Sequence, residues 1–236
     1  MSDFPLELDH IFVWVPQGAP EAAALQSRGL HTDGTLHKHA GQGTSSVVFA
    51  FENAYLELIW VDDPDVAGRK GQEMGTDLLA RADWRRTGAS PFGVGLRRRA
   101  PGDEPPFPTR EYRSEWMKPG TFILIAETSA DVNEPLYFVV PDDIAVPPPG
   151  QLELLLEGNP EMRRTFVHPL GVHRLTNAKI VVSGEKESSA TASMLSRNGV
   201  MEVVGGESPY AELTFDNGAR GEFLDVGPTL PFRLRC

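Results

Sequence analysis

The chain has 236 residues, is 40% hydrophobic and 23% charged, and carries a formal net charge of -11. That length supports one large or two small domains with a sizeable core, and the composition is ordinary for a globular protein. The acidic balance argues against nucleic acid, which calls for a positive stripe.

The main basic run is Arg97, Arg98 and Arg99; a solvated strand end accounts for it, with an anion site as the minority alternative. The single cysteine, Cys236, is the last residue, so no internal disulfide is expected, as in a reducing compartment. "MSDFPLELD" lacks the basic and apolar regions of a secretory signal. Apolar runs such as "TFILIA" are of strand length. A cytoplasmic protein without membrane contact is the expectation.

In chain order, "LELDHIFVWV" predicts a strand with Ile11, Val13 and Val15 on one face and Leu8, His10, Phe12 and Trp14 on the other. Both faces are apolar enough to be covered. "PQGAPEAAALQSRGL" predicts a helix opened by Ala19-Pro20 and stopped at Gly29. "HTDGTLHKHAGQGT" reads as strand end and loop. "SSVVFAFENAYLELIWV" predicts a hairpin with strands over 45–51 and 55–61. Residues 1–61 therefore read βαβββ.

"EMGTDLLARADWRR" predicts a helix, and "PFGVGLRRR", "TREYRSEWM", "GTFILIAETS", "EPLYFVVPDD" and "GQLELLLEG" predict strands, with a turn at Lys118-Pro119-Gly120. Residues 62–165 thus form a degenerate β unit with no helix after its first strand. Residues 166–236 repeat the opening pattern: strand "RLTNAKIVVS", helix "EKESSATASMLSRNG", strand "VMEVVGG", and a hairpin about Asn217-Gly218. A nearly constant offset relates His10 to Asn177 and Glu57 to Glu222. The expected fold class is α+β, with repeated βαβββ modules forming curved mixed sheets, a cup with helices outside, in one compact domain.

Side chains on the concave faces of such sheets converge. Glu57 shares a face with Tyr55, Ile59 and Val61, while Leu56, Leu58 and Trp60 share the other. A carboxylate among apolar neighbours on a doubly covered strand is costly unless paired. A metal ion or His10 would offset that cost; a hydrogen-bonded core histidine and a surface-facing glutamate are the plain alternatives. No nucleophile elbow surrounds "GTSSVV", and no glycine-rich phosphate cradle follows a strand, so no nucleotide cofactor is expected.

"LDHIFVWV", the helix after it, "GQGTSSVVFAF" and "NAYLELIWV" together resemble the vicinal-oxygen-chelate superfamily, in its glyoxalase-like branch. "SPFGVGLRR" through "LYFVVPDD" and "HPLGVHRLTNAKIVV" onward extend the resemblance. It implies paired βαβββ modules and a divalent metal that binds adjacent oxygens of a small substrate, with Zn, Fe, Mn, Mg and Ni not distinguished. Carried onto this chain, it makes His10, Glu57 and Glu222 metal ligands. Glu57 or Glu222 would move the proton if not a ligand. The remaining first-strand position falls on Asn177, a poor ligand for Zn or Fe, with His168 and His173 nearby. Phe12, Trp14, Tyr55, His39, His168, Asn177 and Lys179 are candidates for substrate contact. The expectation is a metal-dependent isomerase, lyase or dioxygenase. The alternative is a metal-free protein that sequesters a small ligand, as bleomycin-resistance proteins do, or one serving in an assembly; a homodimer is expected from symmetry alone. All of these hang on the His10 imidazole and the Glu57 carboxylate meeting inside one hollow.

Overall fold

The first half of the main sheet follows the apolar alternation of its strands. In the computed structural model, which describes residues 4–32, 34–184 and 188–236, this half comprises β1 (Leu6–Trp14), helix α1 (Ala22–Ser27), β2 (His37–His39), β3 (Thr44–Ala50) and β4 (Tyr55–Val61). β4 returns parallel to β1, and β3 and β2 continue outward as antiparallel neighbours. Ile11, Val13, Leu56, Leu58 and Trp60 face the main core, as the alternation predicts.

Leu8 departs from that pattern. A β-bulge between Leu8 and His10 shifts the register of β1 and turns Leu8 to the same core as Leu6 and Ile11. A bulge re-aims side chains locally. Here it sets the Asp9 carboxylate against the His10 ring.

Three helices follow, α2 (Pro64–Met74), α3 (Leu78–Ala82) and α4 (Trp84–Thr87). The sequence predicts a helix here but not the extent of α2. Its start is set by Asp63, whose side chain accepts the Val66 N–H, and by Pro64 in the first turn. Its end is set by Gly75, at φ 74°, a conformation that suits glycine. The α3 arginine, Arg81, is fully buried and donates to the carbonyls of Ser129, Asp131 and Glu134 and to the Thr76 hydroxyl. It pins the helices to the second half of the sheet. Burial pushes its pKa down to about 10.

That second half is β5 (Phe92–Arg98), β6 (Thr109–Tyr112), β7 (Ile123–Ala126) and β8 (Leu136–Val139). The eight strands run β2-β3-β4-β1-β5-β8-β7-β6, so the four-strand order of one half is repeated in the other across the antiparallel β1/β5 seam. The sheet curls into a half-barrel, an α+β cup. The middle segment, not the C-terminal unit, is thus the partner of the first unit.

"TREYRSEWM" is strand only to Tyr112. "GQLELLLEG" is helical, within α5 (Pro149–Glu157), followed by α6 (Pro160–Thr165). Leucine and glutamate are helix formers, and no β-branched residue opposes them. The C-terminal unit comprises β9 (Leu175–Ser183), α7 (Ala190–Arg197), β10 (Glu202–Gly206), β11 (Tyr210–Phe215), β12 (Phe223–Asp225) and β13 (Phe232–Arg235). The predicted start of its helix, at 185–187, lies outside the described residues. Its strand order, β10-β9-β11-β13-β12, differs from that of the first unit. The hairpin expected about Asn217-Gly218 does not pair its two strands. β13 lies between β11 and β12 because Phe232 and Leu234 bury their side chains there.

This second sheet packs on the convex side of the cup. Phe51 meets Phe215 at 4.6 Å and Phe92 meets Phe232 at 5.9 Å, each buried ring contributing about 1.5–3 kcal/mol. Glu134 fastens the same junction by accepting from Ser189 N and Oγ at the start of α7. Among the described residues no helix is long and apolar enough to cross a membrane.

Candidate active site

The concave face encloses a cavity of about 610 Å³ with two unlike walls. The first half supplies His10, Tyr55, Glu57, Ser46, His39 and Gln42; the second supplies Ile123, Ile125, Leu136, Phe138 and Val140. Leu36 and Ile144 also line it, and both are well exposed for their type.

Strand parity places these groups. Phe12 pairs with Glu57 across β1/β4, and His10 with Tyr55. On β5 the residues opposite His10 and Phe12 are Gly95 and Gly93. A Cβ on Gly95 would overlap the His10 ring, and one on Gly93 the Phe12 ring. The two glycines let both rings lie across β5 (a close approach no other residue permits).

His10 Nδ1 lies 2.7 Å from Asp9 Oδ1. The other Asp9 oxygen accepts the Val146 N–H at 2.7 Å and lies 3.6 Å from Arg97 Nη1. The imidazole stacks on Tyr55 with centroids 4.2 Å apart and meets the Phe138 edge at 5.3 Å. Its Nε2 is 3.9 Å from Glu57 Oε2, and His39 Nε2 is 3.7 Å from Glu57 Oε1. Both separations exceed hydrogen-bond length, so the three groups face one another with a gap between. Burial lowers the pKa of His39, opposed by the Glu57 charge. Burial raises that of Tyr55 well above its usual value, with Asp9 and Glu57 adding to the effect.

His39 Nδ1 lies 2.9 Å from Thr44 Oγ1, which accepts from Gln42 Nε2 at 3.0 Å. Gln42 Oε1 accepts from Tyr112 Oη and Trp116 Nε1. Ser46 Oγ is buried, faces the cavity and has no hydrogen-bond partner among the described residues.

Of the residues picked out from the sequence, the structure brings His10, Glu57, His39, Phe12 and Tyr55 to the cavity. Trp14 packs beneath it against Phe12, at 5.8 Å, without reaching the hollow. Glu222 is exposed and paired with Arg220 beside the edge strand β12. Because the C-terminal sheet lies on the convex side, Glu222 does not enter the cup. Lys179 lies 4.0 Å from Glu202. Asn177 lines a separate hollow of about 140 Å³ between the sheets. His168 is a seam residue: its Nε2 lies 2.9 Å from the Ala50 carbonyl and its Nδ1 accepts the His31 N–H. His173 is exposed near Glu52. Arg97, buried and bonded to Glu7 and the Asn53 carbonyl, is a structural cation rather than an open anion site.

Asp9, Gln42, Ser46, Gly95 and Phe138 belong to the site but were not singled out from the sequence. The adjacency of Asp9 and His10 was a signal for the first, yet simple alternation sends neighbours to opposite faces. Among the described residues no group of three or more His, Cys, Asp or Glu side chains is disposed to hold a metal ion. The strands of the second half add only apolar side chains to the cavity wall, and the loop after β6 adds Trp116, whose indole N–H meets Gln42. Glu222 lies outside the cup, so the ligand set expected as His10, Glu57 and Glu222 is not assembled.

No protein-family model and no curated protein matches the chain. Among solved structures it is similar to a hypothetical protein from Staphylococcus aureus, 10% identical over 97% of this chain and 98% of that one, with a TM-score of 0.54. That likeness concerns the fold. A mutant of 4-hydroxymandelate synthase from Streptomyces coelicolor also matches, 13% identical over 95% of this chain and 77% of that one, at a TM-score of 0.33, too low to bear on this chain.

Proposed function

We propose that this is a vicinal-oxygen-chelate-type protein whose cup takes a small organic molecule with an apolar body and an oxygen-bearing end, and that it moves a proton on that molecule. The paired four-strand halves support the family assignment. The observation that carries the activity is the meeting of His10 Nε2 and the Glu57 carboxylate at 3.9 Å, both buried, opposite an apolar wall.

The chemistry follows from the partners. Asp9 can only accept, so it keeps the His10 proton on Nδ1 and turns the Nε2 lone pair to the cup. When Nε2 takes a proton, the adjacent carboxylate stabilises the imidazolium. Glu57, without a hydrogen-bond donor at contact distance from either imidazole, accepts a donor group of the ligand or carries the proton onward. Ile125, Leu136 and Phe138 exclude water and seat the apolar body. The reaction class is isomerase or lyase.

The test is deuterium exchange followed by proton NMR in D2O across aryl ketones, hydroxyaldehydes and 2-oxo acids. The expected result is loss of the signal from a C–H beside a carbonyl. That loss is abolished in His10→Asn and strongly slowed in Glu57→Gln. Tight binding without exchange supports the second function, sequestration, which the unbroken apolar wall favours. Stoichiometric metal in the purified protein, lost in His10→Ala and Glu57→Ala with the fold intact, would replace both with a metal-centred function.

A further inference from the structure

The two imidazoles of the cup sit at the ends of hydrogen-bond chains that run in opposite senses. Trp116 Nε1 can only donate, so the Gln42 atom it meets at 3.3 Å is the amide oxygen. Tyr112 Oη donates to the same oxygen at 3.1 Å. The Gln42 amide nitrogen is thereby turned to Thr44 Oγ1, to which it donates at 3.0 Å. Thr44 is buried, and its hydroxyl, having accepted from Gln42, has its own hydrogen to place. Among the described residues the acceptor placed against it is His39 Nδ1, at 2.9 Å. That nitrogen therefore carries no hydrogen, and His39 Nε2 does. At His10 the order is reversed: the Asp9 carboxylate requires a hydrogen on Nδ1, leaving the lone pair on Nε2.

We infer that the cup presents one imidazole as a donor and the other as an acceptor, with His39 Nε2–H holding a carbonyl oxygen of the ligand and His10 Nε2 facing the neighbouring C–H. Gln42 and Thr44 are positioning residues that fix the His39 tautomer. The inference rests on the proton-transfer function proposed above and names its substrate class: a carbonyl compound with a hydrogen on the adjacent carbon. Removal of that hydrogen by His10 leaves its electron pair in the new C=C bond and the charge on the oxygen. The His39 N–H stabilises that oxygen, and return of the proton from His10 to the oxygen gives the enol and completes an isomerisation. A neutral imidazole is suited to this task because it donates without first being discharged. Neither Nε2 is committed within the fold, since each stands beyond hydrogen-bond length from Glu57.

Two-bond proton–nitrogen correlation spectra of the whole protein, labelled with 15N-histidine and free of ligand, read the tautomers directly. The expected spectrum has His39 protonated on Nε2 and His10 on Nδ1. Thr44→Ser keeps this pattern, Thr44→Val releases the His39 tautomer, and Gln42→Glu, which offers Thr44 an acceptor, moves the His39 proton to Nδ1. A wild-type His39 protonated on Nδ1, or both imidazoles in one tautomer, overturns the inference; so does a Thr44→Val spectrum in which His39 is unchanged. If a variant fails to fold, the wild-type spectrum still decides. For a compound that exchanges in the D2O assay, His39→Phe lowers kcat by about a hundredfold, the scale of a lost oxyanion donor. Thr44→Val lowers kcat with KM little changed, and Thr44→Ser restores it. If no compound exchanges, the proton-transfer function fails while the tautomer pattern stands or falls on its own.

Discussion

Replacing Gly95 by alanine sets a methyl group against the imidazole of His10. An ideal Cβ there would lie inside contact distance of ring atoms Cε1 and Nδ1, and even Nε2 would be only 2.8 Å away. Carbon contacts are comfortable near ~3.5–4.0 Å, so the ring must withdraw by roughly 1 Å. Tyr55 stacks on it at 4.2 Å and the Phe138 ring stands at 5.3 Å, so the ring has little room to give. Withdrawal stretches the 2.7 Å contact with Asp9 beyond hydrogen-bond length. Overpacking and the lost bond to a buried carboxylate together cost about 3 kcal/mol, and for a chain of this size that lowers the melting temperature by roughly 6–12 °C. Calorimetry of Gly95→Ala measures the shift. The His10→Ala/Gly95→Ala pair then measures the coupling, because removing the ring relieves the clash and the two effects fall short of their sum. A melting temperature unchanged in Gly95→Ala, or strict additivity in the pair, refutes the idea that this glycine exists to seat the ring.

Other outcomes follow from single partners. Arg81→Leu strips donors from the buried carbonyls of Ser129 and Glu134 and is expected to cost more than about 3 kcal/mol in urea unfolding. Ser46→Ala removes a buried hydroxyl with no partner; stability in the same assay stays equal or rises by up to ~1 kcal/mol, while affinity for any ligand of the cup falls. Burial holds His168 and His39 below the usual 6.5, so each binds a proton more readily in the unfolded chain. The stability they protect is complete above pH 6.5 and declines as pH falls through their lowered values. His168→Gln is expected to flatten that decline by up to ~1.4 kcal/mol per pH unit, the share of one proton, in melts across pH 4 to 8.

The polar half of the cup was largely legible in the sequence, the other half was not, and the difference is physical. "YLELIWV" alternates cleanly, so Glu57 could be set on the face of Tyr55 from parity alone. The one error of parity on the first strand, Leu8, comes from a bulge that no residue type announces. The strands of the second half contribute only hydrocarbon to the hollow, so nothing in "ILIA" or "LYFV" distinguishes a cavity wall from ordinary core. Gly93 and Gly95 read as weak strand positions until the rings lying over them are seen. The C-terminal unit misled for the opposite reason. Its strand and turn signals copy those of the first unit, but local pattern does not fix neighbour order, and β13 takes the place the hairpin was expected to fill.

The unequal halves of the cup separate its titratable groups from its shape. Among the described residues, every ionisable side chain around the hollow hangs from the first four strands and their loops, and the other four strands offer hydrocarbon. Exchanging Phe138 for a smaller residue, or Ile125 for a larger one, recuts the mould without touching His10, His39 or Glu57. Relatives built on the same pair of halves are therefore free to diverge in the shape they admit while the titratable groups stay in place.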